Sequence, residues 1–112
     1  MIGWTGLFVF PVRGSQLALI DPASPGEPKI VEVNGIVADM PVRGIPTVSG
    51  DVVAFASRRN GKVVTLDVST PESPVVVKDR CYDLSQGNCD RIAFHRGKMI
   101  IPAGHYGLFM EK

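Results

Sequence analysis

This 112-residue chain lacks the features that mark several large classes of protein. No run approaches the roughly 20 consecutive apolar residues that a membrane-spanning helix needs. Its 12 basic and 11 acidic residues give a formal net charge of +1, and they are scattered singly or in short groups. We therefore expect no nucleic-acid partner and no insertion into a membrane. The N-terminal residues carry no charged segment followed by an apolar run and a cleavage site, so we predict no signal peptide.

Cysteine is scarce, and the only two are Cys81 and Cys89. The residues between them, Tyr-Asp-Leu-Ser-Gln-Gly-Asn, are typical of a loop. A disulfide across this loop indicates an oxidising compartment, whereas free thiols are typical of the cytosol. Spacing alone does not determine pairing, so a Cys81–Cys89 disulfide and two free thiols both stand as alternatives.

Motifs for catalysis and for metal or cofactor binding are also missing. The two histidines, His95 and His105, together with the cysteines match no tetrahedral zinc spacing. There is no Gly-x-Ser-x-Gly sequence and no glycine-rich loop between a strand and a helix. We therefore predict no catalytic residue, no metal site and no cofactor within this chain.

Short apolar runs, bounded by 12 glycines and 9 prolines, make up most of the sequence. Such runs are typical of β-strands joined by tight turns, and no segment has a useful helical period. The pattern predicts about ten strands, grouped as three, four and three. They cover residues 7–13, 16–20, 29–33, 45–48, 52–57, 62–67, 75–78, 92–95, 99–102 and 108–110.

The chain repeats itself with a period of 46 residues and without gaps. An apolar strand ends at an Asp, and two prolines then prevent the strand from continuing. We interpret both Asp residues as structural turn formers, because their side chains accept hydrogen bonds from the following backbone. The equivalent pairs are Asp21 and Asp67, Pro25 and Pro71, and Pro28 and Pro74.

Four-stranded repeats of this length are typical of β-propeller blades. Residues 66–74, Leu-Asp-Val-Ser-Thr-Pro-Glu-Ser-Pro, resemble the LVIVD-type β-propeller repeat, in which an apolar strand precedes Asp-Val-Ser-x-Pro-x-x-Pro. The earlier copy has Pro22 and Ala23 in place of Val and Ser. The resemblance implies an all-β fold of four-stranded antiparallel blades in an incomplete propeller. Its repeat units cover about 1–46, 47–92 and a partial 93–112, and a small β-sandwich is the alternative.

Ten strands make about two and a half blades, whereas a closed propeller has about four to eight. Exposed blade faces and strand edges invite further pairing. The remaining blades are expected from a longer chain, from copies of this chain in a ring, or from a different chain. We expect a homo-oligomer or a larger assembly rather than an isolated monomer.

The turns between second and third strands and the loops between blades share one face of a propeller. Here they combine arginines, aromatic residues and a histidine, which suits an anionic or sugar-like ligand; the alternative is an ordinary solvated loop rim. We call this surface the loop rim. Its candidate ligand-binding residues are Arg13, Arg58, Arg59, Arg91, His105 and Tyr106, with Asp39, Tyr82, Asp83 and Asp90 nearby.

Our leading hypothesis is a non-catalytic propeller module for protein or surface interaction, in a secreted or cell-envelope protein. The interaction role follows by analogy with the fold. The alternative is a propeller that binds a carbohydrate or small anion at the loop rim. A third class is an enzyme whose site lies across blades outside this sequence.

Overall fold

The computed structural model describes residues 2–4, 7–20, 23, 26–37, 40–57, 61–70, 72–84, 91–104 and 107–112, with side chains from residue 11 onwards. Within these ranges the chain is all-β, as predicted, and its strands form three antiparallel sheets. In the described part of the chain, no helix is long and apolar enough to cross a membrane.

Each sheet is a meander, in which strands adjacent in the chain are also neighbours in the sheet. The first sheet contains β1 (Ile2–Trp4), β2 (Leu7–Val12), β3 (Gln16–Ile20) and β4 (Lys29–Glu32). The second contains β5 (Ile45–Ser49), β6 (Val52–Ala56), β7 (Lys62–Asp67) and β8 (Val75–Val76), and β9 (Tyr82–Asp83) pairs with the start of β7. The third contains β10 (Ala93–His95), β11 (Lys98–Pro102) and β12 (Leu108–Met110).

The closing pairs of the first hairpins in the second and third sheets lie 46 residues apart, in step with the sequence repeat, whereas the pair in the first sheet is offset by one residue. In every sheet two residues separate the closing pair of the first two strands. In the third sheet Arg96 and Gly97 both have positive φ, at 53° and 78°, as a type I′ turn requires. The second sheet uses Gly50, with φ at 57°, at the first turn position. The closing pairs are Trp4 with Leu7, Ser49 with Val52, and His95 with Lys98.

A first core lies between the first and second sheets. Alternate residues of a strand share a face, so Leu17 and Leu19 of β3 point together into this core. Phe55 and Leu66 of the second sheet meet them and are fully buried. Val31, Val33, Val42, Val53, Val64, Val68 and Val76 complete this cluster.

A second core lies on the opposite face of the second sheet, where the third sheet packs against it. Ala54, Ala56 and Val63 provide one side, and Met99 and Ile101 provide the other. The second sheet is therefore covered on both faces, which explains why β6 is apolar throughout and why β7 is continuously buried from Val63 to Leu66 rather than alternating. The Thr65 hydroxyl is fully buried at this interface and donates to Sδ of Met99 at 3.7 Å.

The strand predictions missed two short elements. The first is β1, whose three residues include a glycine and are held as a strand by pairing with β2. The second is β9, which lies in a stretch predicted as loop and pairs with Lys62 and Val63. The outer strand predicted over 75–78 is also shorter, because Lys78–Arg80 form a 3-10 turn. Pairing between distant residues, rather than local propensity, decides these elements.

Gly44 allows the chain to enter the second sheet. Its φ is 101°, in a region that residues with a side chain rarely adopt, and a Cβ there would lie 1.9 Å from the carbonyl oxygen of Ala56. Only glycine allows this close approach between the inter-sheet loop and β6.

Candidate functional site

The structure describes only part of the predicted loop rim. Arg13 is exposed in the turn between β2 and β3 and has a φ of 55°. Arg91 is exposed just before β10. Arg13 therefore lies beside the first sheet, and Arg91 lies beside the third sheet. Arg58, Arg59, His105 and Tyr106 lie outside the described residues, so the ligand-binding rim stays a prediction.

Cys81 is half-buried and is a free thiol in the structure. Its Sγ donates to the carbonyl oxygen of Val77 at 3.3 Å, and burial raises the pKa of the thiol. Cys89 lies outside the described residues, so a Cys81–Cys89 disulfide and two free thiols both stay open as alternatives.

Asp67 lies at the end of β7, where the chain enters the proline turn. The backbone N–H of Ser69 donates to Oδ1 of Asp67 at 2.9 Å, which is the contact of an Asx turn. This backbone bond, followed by one from the Ser69 side chain, lowers the pKa of Asp67. The repeat-equivalent residue, Asp21, lies outside the described residues.

A cluster of polar side chains, which we call the Glu111 cluster, joins the second sheet to the third. Arg80 lies at the end of the 3-10 turn, and its Nε and Nη2 donate to the two carboxylate oxygens of Glu111 at 2.9 and 2.6 Å. The Tyr82 hydroxyl donates to the same carboxylate from β9. The backbone N–H of Met99 donates to Oε1 at 3.2 Å, and Arg80 also donates to the carbonyl of Gly97 at 2.9 Å.

Mutual contacts explain the perturbed pKa values of the Glu111 cluster. The Arg80 guanidinium is the largest influence on Glu111 and, despite burial, lowers the pKa of that carboxyl to about 2. Burial, supported by the hydrogen bond to Glu111, raises the pKa of Tyr82 to about 12. The hydrogen bond from Arg80 to Glu111 raises the pKa of Arg80. The carboxylate is thus held ionised by groups that belong to the fold.

The Glu111 cluster places Tyr82, a predicted neighbour of the loop rim, in a contact between sheets. The side chains of Arg80 and Glu111 are only 23% and 11% exposed, and each carboxylate oxygen accepts more than one hydrogen bond. Sequence reasoning missed this cluster, because no motif relates Arg80 to a residue 31 positions away. The arrangement fixes the third sheet against the second.

The outer surfaces of the first and third sheets present apolar side chains to solvent. Residues on adjacent antiparallel strands that face each other directly share one face of the sheet. Pairing of Ile100 with Met110 and of Pro102 with Leu108 therefore defines the apolar part of a third-sheet face. Ala93, His95 and Lys98 lie on the same face. Pairing of Ala18 with Ile30, with Ile20 two residues after Ala18 on β3, defines the apolar part of a first-sheet face. The hydrogen-bonded pair Gln16 and Glu32 lies on the same face.

Exposure on both faces is high for apolar side chains. Leu108 and Met110 are 70% and 68% exposed, and Ile30 on the first-sheet face is 50% exposed. Ile20 and Ile100 are partly exposed, whereas Ala18 is buried. Grouped apolar side chains of this kind mark surfaces that bind other proteins. These two faces are the candidate functional surfaces of the described chain.

Among the described residues, no group of three or more His, Cys, Asp or Glu side chains is placed to hold a metal ion. No protein-family model matches this chain, and searches of curated proteins and of solved structures found no significantly similar sequence or fold.

Proposed function

We propose that this chain forms neighbouring blades of a β-propeller and works as a non-catalytic module for protein interaction. The resemblance of residues 66–74 to the LVIVD-type repeat supports the blade assignment. Three successive antiparallel sheets, in each of which two residues separate the first two strands, also support it. A propeller places such sheets side by side around an axis.

The observation that carries the proposal is the unequal burial of equivalent sheet faces. The second sheet has one face against the first sheet and the other against the third. The third sheet uses Met99 and Ile101 on one face, and leaves Leu108 and Met110 exposed on the other. Burial of such side chains is the main favourable term in association, so the exposed face favours a protein partner.

The edge of the third sheet is open to a further strand, either from a continuation of the chain or from another chain. In the first two sheets a fourth strand, β4 or β8, pairs with the third strand. Within the described residues, the third sheet ends at β12 and no strand pairs with its outer edge. A strand edge with unpaired backbone groups is a template for another strand.

The Glu111 cluster is a structural contact rather than a candidate catalytic site. Strongly shifted pKa values often mark catalytic groups, but ion-pair networks that hold a fold together shift them as well. Glu111 and Tyr82 have the largest shifts, and both are bonded within the cluster that ties two sheets together. Their shifts therefore have a structural explanation.

Light scattering across roughly two decades of protein concentration, with a parallel apolar-dye titration, tests the proposal, because association depends on mass action. We expect a particle larger than the monomer, or a folded monomer that binds the dye at its exposed sheet faces. A folded monomer that binds no dye at any concentration would contradict the proposal.

A further inference from the structure

We infer that a second copy of this chain docks head to tail, with its first-sheet face against the third-sheet face of the first copy. This inference rests on the proposed function and names the partner and the surfaces. The two faces lie at opposite ends of the stack of sheets, and each is equivalent to one side of an interface already present inside the chain.

The first-sheet face is equivalent to a buried surface of the second sheet. A shift of 46 residues places Ala18 on Val64, Ile20 on Leu66, and Ile30 on Val76. All three equivalents lie in the core between the first and second sheets, and none is more than 6% exposed. In the second sheet this surface is covered by a preceding sheet, whereas in the first sheet Ile30 remains 50% exposed.

The third-sheet face is equivalent to the other buried surface of the second sheet. Ile100 and Pro102 lie 46 residues after Ala54 and Ala56. Across the hairpin the equivalence follows backbone pairing rather than the 46-residue shift, because β12 is offset from β7 by 45 residues. Ala54 pairs with Thr65 as Ile100 pairs with Met110, and Ala56 pairs with Val63 as Pro102 pairs with Leu108. In the second sheet all four positions are buried, three of them in the core against the third sheet.

We call the face of a sheet that meets the preceding sheet its front face, and the opposite face its rear face. Both contacts inside the chain join the rear face of one sheet to the front face of the next. The third-sheet face is a rear face without a following sheet among the described residues, and the first-sheet face is a front face without a preceding one. A second copy supplies the front face that fits. The resulting contact is heterologous, and heterologous contacts close into rings where the rotation allows. A symmetric contact of two third-sheet faces would join two rear faces, a combination that neither internal interface uses.

Two variants separate the faces. Leu108→Glu combined with Met110→Glu places charge on the third-sheet face, and Ile30→Glu places it on the first-sheet face. Ile36→Glu is the matched control, because Ile36 is 38% exposed in the loop after the first sheet and belongs to neither face. Circular dichroism establishes that each variant is folded, and analytical ultracentrifugation measures its association.

We expect each face variant alone to raise the dissociation constant of self-association by at least about tenfold, while the control leaves it unchanged. In a mixture of the two variants, the intact third-sheet face of Ile30→Glu can bind the intact first-sheet face of the other variant. We therefore expect a one-to-one dimer that grows no further, because the remaining two faces carry the introduced charges. Unchanged association in either face variant, or variants that do not combine, overturns the head-to-tail contact.

Failure of the inference is distinguishable from failure of the proposed function. A wild-type chain that associates regardless of both face variants keeps the interaction module but overturns this contact. A wild-type monomer that binds the apolar dye likewise keeps the interaction module and overturns the head-to-tail contact. A folded wild-type monomer that binds no dye at any concentration contradicts both.

Discussion

Val63 and Leu108 occupy the same position in consecutive sheets. Val63 on β7 pairs with Ala56, and Leu108 on β12 pairs with Pro102, which lies 46 residues after Ala56. Val63 is fully buried, whereas Leu108 is 70% exposed. The difference arises because the third sheet covers this face of the second sheet, whereas no described residue covers the equivalent face of the third sheet. This difference in burial shows that the outer face of the third sheet is uncovered among the described residues.

Glu111→Gln tests the cluster that joins the second and third sheets. The substitution removes the negative charge while leaving Arg80 partly buried without its ion-pair partner. We expect the free energy of unfolding at pH 7 to fall by about 2 kcal/mol, measured by urea denaturation. Glu72→Gln is the control, because Glu72 and Lys29 form an exposed pair at 3.9 Å whose loss costs about 0.5 kcal/mol or less. Equal effects of the two substitutions would show that the cluster does not hold the sheets together.

Acid should weaken the same contact. The folded-state pKa of Glu111 is about 2, below the ordinary value of 4.5, so the unfolded chain binds more protons between these values. Stability from this group is therefore complete above about pH 5 and is lost as the pH falls toward 2, by on the order of 2 kcal/mol. We expect the stability difference between wild type and Glu111→Gln to narrow over this range. A difference that is constant from pH 7 to pH 2 would contradict the assigned pKa shift.

Gly44→Ala tests the close approach between the inter-sheet loop and β6. The new Cβ would meet the Ala56 carbonyl at 1.9 Å in a backbone conformation with φ at 101°. We expect a loss of at least about 3 kcal/mol, measured by thermal or urea unfolding. Gly26→Ala is the matched control, since it has no positive φ and meets no atom within 4 Å, so a change within about 0.5 kcal/mol is expected. A tolerated Gly44→Ala would show that the loop takes another path.

Thr47→Val should stabilise the second sheet. Thr47 is on β5, and its Oγ1 is buried without a hydrogen-bond partner among the described residues. Replacing the hydroxyl with a methyl group removes an unpaired polar atom, so we expect a gain of about 1 kcal/mol in urea denaturation. Thr65→Val is the control, because the Thr65 hydroxyl has a partner in Met99. It should give no gain, and a loss of stability in Thr47→Val would indicate a hidden partner for that hydroxyl.

Local patterns in the sequence predict most of the strands. The runs predicted over 16–20, 62–67 and 108–110 coincide with β3, β7 and β12. These elements are local, because apolar runs and turn residues encode them directly. The all-β class follows from the same pattern.

Features that depend on how the sheets stack were not predictable from local patterns. β9 exists because Tyr82 pairs with Val63, and the Glu111 cluster exists because the third sheet packs beside the 3-10 turn. The period of 46 residues does not align β12 with β7, because the backbone pairing makes Leu108 equivalent to Val63, 45 residues earlier. The period also does not say which positions are covered. The contrast between Val63 and Leu108 required the structure. Of the predicted rim residues, only Arg13 and Arg91 are described.

The most direct test of the stacked-sheet account compares Val63→Glu with Leu108→Glu, with circular dichroism and urea denaturation at low protein concentration. Burying an unpaired carboxylate at Val63 should remove at least about 4 kcal/mol or prevent folding. The same change at Leu108 should stay within about 1 kcal/mol, because its side chain already faces solvent. Similar losses in the two variants would contradict the account, because they would mean that the third sheet is covered as the second is.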